Sequence, residues 1–355
     1  MIPVRVAVVD DSSFIRMAVV RMLEEDERLR VVGTARSGEE LIERLTDWRP
    51  DVITLDLSMP GMGGLRTLDY VMAHRPMPVI VLSGRSRGDA PLAIEALHRG
   101  AVDFIDKRRY SLVDFDALRE VLIHRILEVS GHHVETAERA EPPVARSTRP
   151  RGPFRPPRRR DFKILVIGAS TGGPVAIQRV LLDLGASLPV PAVVAQHMPP
   201  GFTRAFADRL NSRLSLTVRE AGHAETLLPA TVYIAPAGRN LSVERQGSSL
   251  RTRLDDESAS VGSHLPSADL LFSSAARAAR RAVLAVLLTG MGRDGARGMA
   301  DLTSAGAFTL AQDEPTSVVW GMPRAAAELN AVRETLPLDG IGRRLRQLLG
   351  VEETA

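Results

Sequence analysis

Short apolar runs alternate with amphipathic stretches along the first third of the chain. Residues 4–11 (VRVAVVDD), 30–35 (RVVGTA), 51–57 (DVITLDL), 77–83 (MPVIVLS) and 101–107 (AVDFIDK) are rich in Val and Ile and stop at charged or turn-forming residues, which predicts five strands. Between them, 13–26 (SFIRMAVVRMLEED) and 37–48 (SGEELIERLTDW) repeat apolar residues three and four apart, the spacing of one buried helix face. Ser37 and Glu40 stand at capping-box spacing at the head of the second helix. Strands alternating with helices predict an open parallel sheet covered on both faces.

The alternation restarts near residue 162. FKILVIG (162–168), PVPAVVAQH (189–197), AVLAVLLTG (282–290) and AFTLAQ (307–312) read as strands. The middle of this half, TVYIAPAG (231–238), LSVERQ (241–246) and SLRTRLD (249–255), reads as hairpin-like. The fold expected is α/β in two doubly wound domains, 1–128 and 162–350. The second is a mostly parallel sheet with an antiparallel hairpin region.

Composition changes this picture at one place. Residues 141–160 hold seven Arg, six Pro and one Glu, whereas the whole chain carries a formal charge of only +3. The basicity therefore belongs to a segment within 129–161 that reads as an exposed Pro/Arg-rich linker, because proline lacks a donor and like charges repel. Phe154 is the one aromatic in 141–160, so single-strand nucleic-acid binding has little support and no nucleic acid is expected as a partner. The chain has no cysteine, which excludes disulfides and thiolate catalysis and fits a cytoplasmic setting. The first residues are too charged for a secretory signal, and no apolar run approaches the roughly 20 residues that span a bilayer. A monomer without membrane insertion is expected.

Open parallel sheets place working residues at the carboxyl ends of their strands. In the first half those ends carry Asp10 and Asp11, Asp56, Ser83 and Lys107. Three carboxylates together suit a hard cation such as Mg2+ held by Asp10, Asp11 and Asp56. Asp56 could then attack a phosphoryl group whose oxygens Ser83 and Lys107 hold. The stretches VVDDS, LDLSMPGMGG, VIVLS and GAVDFIDK resemble the receiver domain of two-component response regulators over residues 1–128. The resemblance implies a flavodoxin-like fold with Asp56 as phosphoacceptor, and Asp10, Asp11 and the Ser58 backbone around Mg2+. It also implies that Ser83 and Phe104 rearrange on phosphorylation. Arg108 stands where proline usually follows the lysine, and Gly63 where aspartate is common.

The second half holds Ser170 in IGASTGG, His197 at the end of AVVAQ, and Asp294 in TGMGRDGA. A serine nucleophile needs a base and a group that orients the base, and all three fall at one sheet edge. The Thr171 N–H, at the start of the next helix, is the natural oxyanion donor, with the Met291 N–H as a second. IGASTGG, AQHMPPGFTRAFADRLN, LPSADLLF, LTGMGRDGA and QDEPTSVVWGMP resemble the catalytic domain of chemotaxis-receptor protein-glutamate methylesterases, the CheB family, over about residues 162–349. The resemblance implies the triad Ser170, His197, Asp294 with no cofactor in the esterase site. It implies hydrolysis of glutamyl methyl esters on methyl-accepting chemotaxis receptors, often with deamidation of receptor glutamines, and a chemotaxis histidine kinase as phosphodonor. Leu265 replaces a common arginine and Asn240 a usual histidine near the site's mouth. An unphosphorylated receiver lying over the Ser170 edge would block receptor access. The rival readings are a phosphate- or nucleotide-binding loop at IGASTGG, a transcription factor, and a phosphorylation-dependent scaffold with a degenerate esterase domain.

Overall fold

The computed structural model describes residues 2–84, 89–107, 115–131, 162–255 and 265–351. Arg108 and most of the stretch read as a linker, from residue 132 to 161, lie outside the described residues.

The five strands expected in the first half form as β1 (Val4–Val9), β2 (Leu29–Ala35), β3 (Val52–Asp56), β4 (Val79–Ser83) and β5 (Asp103–Asp106). They pair in parallel in the order β2-β1-β3-β4-β5. Helices α2 (Gly38–Trp48), α3 (Gly63–His74) and α4 (Asp89–His98) bury Leu41, Leu68 and Ala93 on one face. Helices α1 (Ser13–Glu24) and α5 (Phe115–Val129) bury Val19 and Leu122 on the other. Ser37 caps α2 by accepting from the Glu40 N–H, but the Glu40 carboxylate accepts from the Arg36 N–H, so the capping box closes one residue early.

The second half is built on seven strands in the order β14-β13-β12-β6-β7-β9-β8, all parallel. They are β6 (Ile164–Ala169), β7 (Ala192–Gln196), β8 (Thr217–Glu220), β9 (Thr231–Ile234), β12 (Val283–Leu287), β13 (Phe308–Gln312) and β14 (Glu334–Leu336). Helices α6 (Gly173–Leu184), α7 (Phe202–Arg213) and α11 (Leu338–Leu349) cover one face through Ile177, Phe206 and Leu345. Helices α8 (Ala268–Ala279), α9 (Ala296–Ser304) and α10 (Met322–Glu328) cover the other through Leu271, Met299 and Ala325. Antiparallel pairing among these strands is confined to β10 (Asn240–Gln246) and β11 (Ser249–Asp255), a separate two-stranded sheet. TVYIAPAG differs from the hairpin reading. Its β9 enters the main sheet parallel to β7 and β8, and all four of its residues are buried, which an uncovered hairpin strand could not be.

One apolar cluster runs through both halves. Phe104 of β5 lies against Phe202 of α7 with ring centroids 4.5 Å apart. Across the same face, Arg209 of α7 pairs with Glu95 of α4.

Tyr233 of β9 is fully buried, and its hydroxyl accepts from the Leu228 N–H (3.0 Å) while donating to the Thr226 carbonyl (3.2 Å). Tyr233→Phe should leave both backbone groups unsatisfied and cost about 1–3 kcal/mol, read as a lower urea midpoint with unchanged slope.

Candidate functional site

The second sheet changes winding direction between β6 and β12. The chain moves from β6 to β7 on one side and from β12 to β13 on the other, which opens a crevice at their carboxyl ends. Ser170 follows β6 directly, and the Gly290–Asp294 loop follows β12. Gly172 turns the chain into α6 with a left-handed φ of 75°. The Ser170 N–H donates to the Thr289 carbonyl (3.0 Å), and a Cβ on Gly290 would stand 2.8 Å from the Ser170 Cβ. The loop and the Ser170 turn therefore touch, and only glycine fits between them.

Three side chains that the sequence patterns did not single out hold this turn and the acid behind it. Gln196, the last residue of β7, donates from Nε2 to the carbonyls of Ser170 (2.9 Å) and His197 (3.0 Å). Thr289 donates from its hydroxyl to the Thr171 carbonyl (3.0 Å) and accepts from the Val319 N–H (3.0 Å). Ser267, at the head of α8, donates to Asp294 Oδ1 (2.9 Å). The available signal was position alone. Gln196 and Thr289 are polar residues at the ends of apolar strands beside His197 and Gly290.

His197 and Asp294 meet. His197 Nε2 donates to Asp294 Oδ2 at 2.8 Å, the carboxylate being an acceptor only. Nε2 is therefore the ring nitrogen that faces the acid. Ser170 lies at the same edge, although among the described residues its hydroxyl makes no hydrogen bond. Asp294 also accepts from the N–H groups of Ala268 (2.7 Å), Asp269 (2.9 Å) and Gly295 (3.1 Å). Burial would raise its pKa, but the His197 contact and the N–H groups of Asp269 and Ala268 outweigh this and hold it at about 2. Asp269, alongside, is the opposite case. Burial raises it to about 6, with the Asp294 charge adding and the Gly298 N–H opposing.

The Thr171 and Met291 N–H groups, the two candidate oxyanion donors, make no hydrogen bond among the described residues. Thr171 is tied to the first domain instead. Its hydroxyl donates to Asp103 Oδ2 (2.8 Å), which Arg125 also engages, and the Gly172 N–H donates to the Val102 carbonyl (3.2 Å). Ser170 and Thr171 are 7% and 4% exposed under these contacts.

Asn240 opens β10 and faces the head of α8, and Leu265 meets the β9–β10 turn. Asn240 Oδ1 accepts from the Ser267 N–H (2.9 Å), and the Leu265 carbonyl from the Gly238 N–H (3.5 Å).

The first sheet reverses between β1 and β3, and its crevice holds the acid cluster. Ligand oxygens of Asp10, Asp11 and Asp56 lie within 4.8 Å of one another. Lys107 Nζ reaches Asp10 Oδ2 (2.8 Å) and Asp56 Oδ1 (3.1 Å). Burial raises the Asp56 pKa, Lys107 opposes it, Asp10 adds to it, and the Ser58 N–H lowers it. Three hard oxygen donors converging beside the Lys107 ammonium fit Mg2+. Ser83 is buried at the end of β4, and its hydroxyl has no hydrogen-bond partner among the described residues. Gly63 takes a left-handed φ of 71° at the start of α3, a conformation that an aspartate would hold less easily.

These two crevices define the class: a response regulator whose second domain is a hydrolase. Residues 6–114 match the response regulator receiver domain family, and residues 165–345 match the family described as CheB methylesterase. A protein-glutamate methylesterase/protein-glutamine glutaminase of Geobacillus kaustophilus is 41% identical over 98% of this chain and 99% of its own. One of Halalkalibacterium halodurans is 40% identical over 95% of each. The crystal structure of the Thermotoga maritima CheB methylesterase catalytic domain is 39% identical, with a TM-score of 0.51, and covers 53% of this chain and 98% of its own. The chain belongs to the CheB methylesterase family.

Gly290→Ala would set a Cβ into the buried Met322 Sδ and 2.8 Å from the Ser170 Cβ, and should reduce hydrolysis by at least about a hundred-fold, read by turnover with circular dichroism to separate displacement from unfolding. Asp269 has its pKa raised in the folded state, so its contribution to stability is complete below about pH 4 and is lost as pH rises through about 6. Asp269→Asn should therefore raise the melting temperature above pH 6, by the equivalent of about 2–3 kcal/mol, and leave it unchanged near pH 4.

Proposed function

We propose that this protein is a phosphorylation-activated serine esterase. It hydrolyses γ-glutamyl methyl esters on methyl-accepting chemotaxis receptors in the cytoplasm and deamidates receptor glutamines. The observation that carries this reading is the His197–Asp294 pair at the edge where Ser170 stands, 2.8 Å between Nε2 and Oδ2.

Ser170 Oγ attacks the ester carbonyl while His197 Nδ1 takes its proton. The oxyanion settles against the N–H groups of Thr171 and Met291. His197 returns the proton to the leaving oxygen, which departs as methanol, or to the leaving nitrogen, which departs as ammonia, when the substrate is an amide. A water deprotonated by the same nitrogen then attacks the acyl-serine and releases glutamate. Asp294 fixes the ring and offsets its transient positive charge. Its own low pKa keeps it ionised throughout.

The first domain regulates the second through the nucleophile's turn. The Asp103–Thr171 and Val102–Gly172 bonds, with Phe104 on Phe202, support a docked state in which a receptor helix cannot reach Ser170. Asp56 accepts a phosphoryl group from a chemotaxis histidine kinase, and Lys107 and the Ser83 hydroxyl hold its oxygens. Asp10, Asp11 and Asp56 would hold Mg2+, which when bound offsets the charge of the carboxylates and the phosphoryl oxygens. Ser83 and Phe104 sit on adjacent strands, so movement of one at the acid pocket is felt by the other at the interface. A swing from 1:99 to 99:1 needs about 5.5 kcal/mol of differential stabilisation, and a partial switch needs less.

Methanol release from a methylated receptor cytoplasmic fragment tests both parts. Ser170→Ala should lower release by at least about a thousand-fold, and a small phosphodonor with Mg2+ should raise wild-type release. Retained activity in Ser170→Ala would sink the esterase scheme. Asp103→Ala should raise basal release several-fold and blunt the response to phosphodonor, whereas unchanged basal release would remove the docked state as the means of control.

A further inference from the structure

Resting on the esterase reading, we propose that Asn240 and Ser267 are positioning residues that extend the triad outward through Asp294. The Ser267 hydroxyl spends its single proton on Asp294 Oδ1 (2.9 Å) and accepts from the Leu270 N–H (3.2 Å) as the cap of α8. The Ser267 N–H donates to Asn240 Oδ1 (2.9 Å), and Asn240 opens β10 almost fully buried. A line of hydrogen bonds thus runs from the β10–β11 sheet through the head of α8 to Asp294 and His197.

The geometry sets what this line does. Asp294 is held by the first N–H groups of α8, at Ala268 and Asp269. The helix can offer them only if it sits at one axial position, since a slip of one residue displaces each N–H by about 1.5 Å and turns it away. The β10–β11 sheet fixes that position. It grips α8 at its head through Asn240, at its middle where Ser274 Oγ accepts from the Val243 N–H (2.9 Å), and at its end where Arg245 Nε donates to the Ala278 carbonyl (2.7 Å). Asn240 is the contact nearest the chemistry. Its amide oxygen supplies the acceptor for the Ser267 N–H.

The test uses the full-length protein and two readouts. One is the kcat and KM of methanol release. The other is the downfield proton resonance of the His197 Nε2–H bond to Asp294, which needs no turnover. Ser267→Ala should lower kcat about ten- to a hundred-fold with KM within about two-fold, and should shift and broaden the bridging resonance. Ser267→Thr, which keeps the hydroxyl, should restore both. Asn240→Ala should act in the same direction by about three- to ten-fold. Wild-type kcat and resonance in both alanine variants would overturn the proposal, and so would a rise in KM alone or a threonine variant no better than alanine. If the wild type released no methanol while the resonance still responded to Ser267→Ala, the positioning line would stand and the esterase reading would fall.

Discussion

Both halves of the molecule depend on one constraint of parallel sheets. A parallel sheet covered by helices on both faces has its strand ends as the place to gather polar side chains, and those ends separate where the winding changes direction. In the first sheet that point lies between β1 and β3, which brings Asp10 and Asp11 against Asp56. In the second it lies between β6 and β12, which brings Ser170 against Gly290 and the loop that carries Asp294. Both sets of chemical groups stand where the backbone architecture leaves an opening.

The charges gathered there are neutralised by different means. Among the described residues, Lys107 is the ammonium that meets the three carboxylates of the first sheet's acid cluster, and burial together with the Asp10 charge pushes Asp56 toward its protonated form. That balance favours a divalent cation. Asp294 in the second sheet lies among backbone N–H groups and the His197 ring and remains ionised without any ion. Asp269 is the carboxylate this arrangement disfavours, chiefly because it is buried and further because it lies beside the charged Asp294.

The contact between the halves is specific. Val102, Asp103 and Phe104 are consecutive, and each touches the second domain: by carbonyl to Gly172, by carboxylate to Thr171, and by ring to Phe202. The first sheet therefore grips, through β5, the residues just after Ser170. The apolar part of this contact is continuous with both cores, so docking and folding draw on the same hydrophobic term.

The sequence by itself determined most of the strands and pointed to the candidate reacting groups, but not the edge strands β8 and β14. Apolar runs that stop at Asp10, Asp56, Ser83, Ser170 and His197 mark strand ends, and strand ends of a parallel sheet are where such residues meet. It also carried the motifs by which the family is known. It did not determine that β9 joins the main sheet, because TVYI is equally suited to a hairpin until its two faces find cover. Nor did it single out Gln196, Thr289 and Ser267. Their partners lie far along the chain, 118 residues away for Thr289 and Thr171 and 27 for Ser267 and Asp294, and no local periodicity records such pairings. Only the tertiary structure decided which imidazole nitrogen faces the acid, and that the receiver's β5 closes on the turn after Ser170. Hydrogen bonds are directional and act over about 3 Å, so they are settled by packing. The hydrophobic pattern that drives the packing is written in the order of the residues.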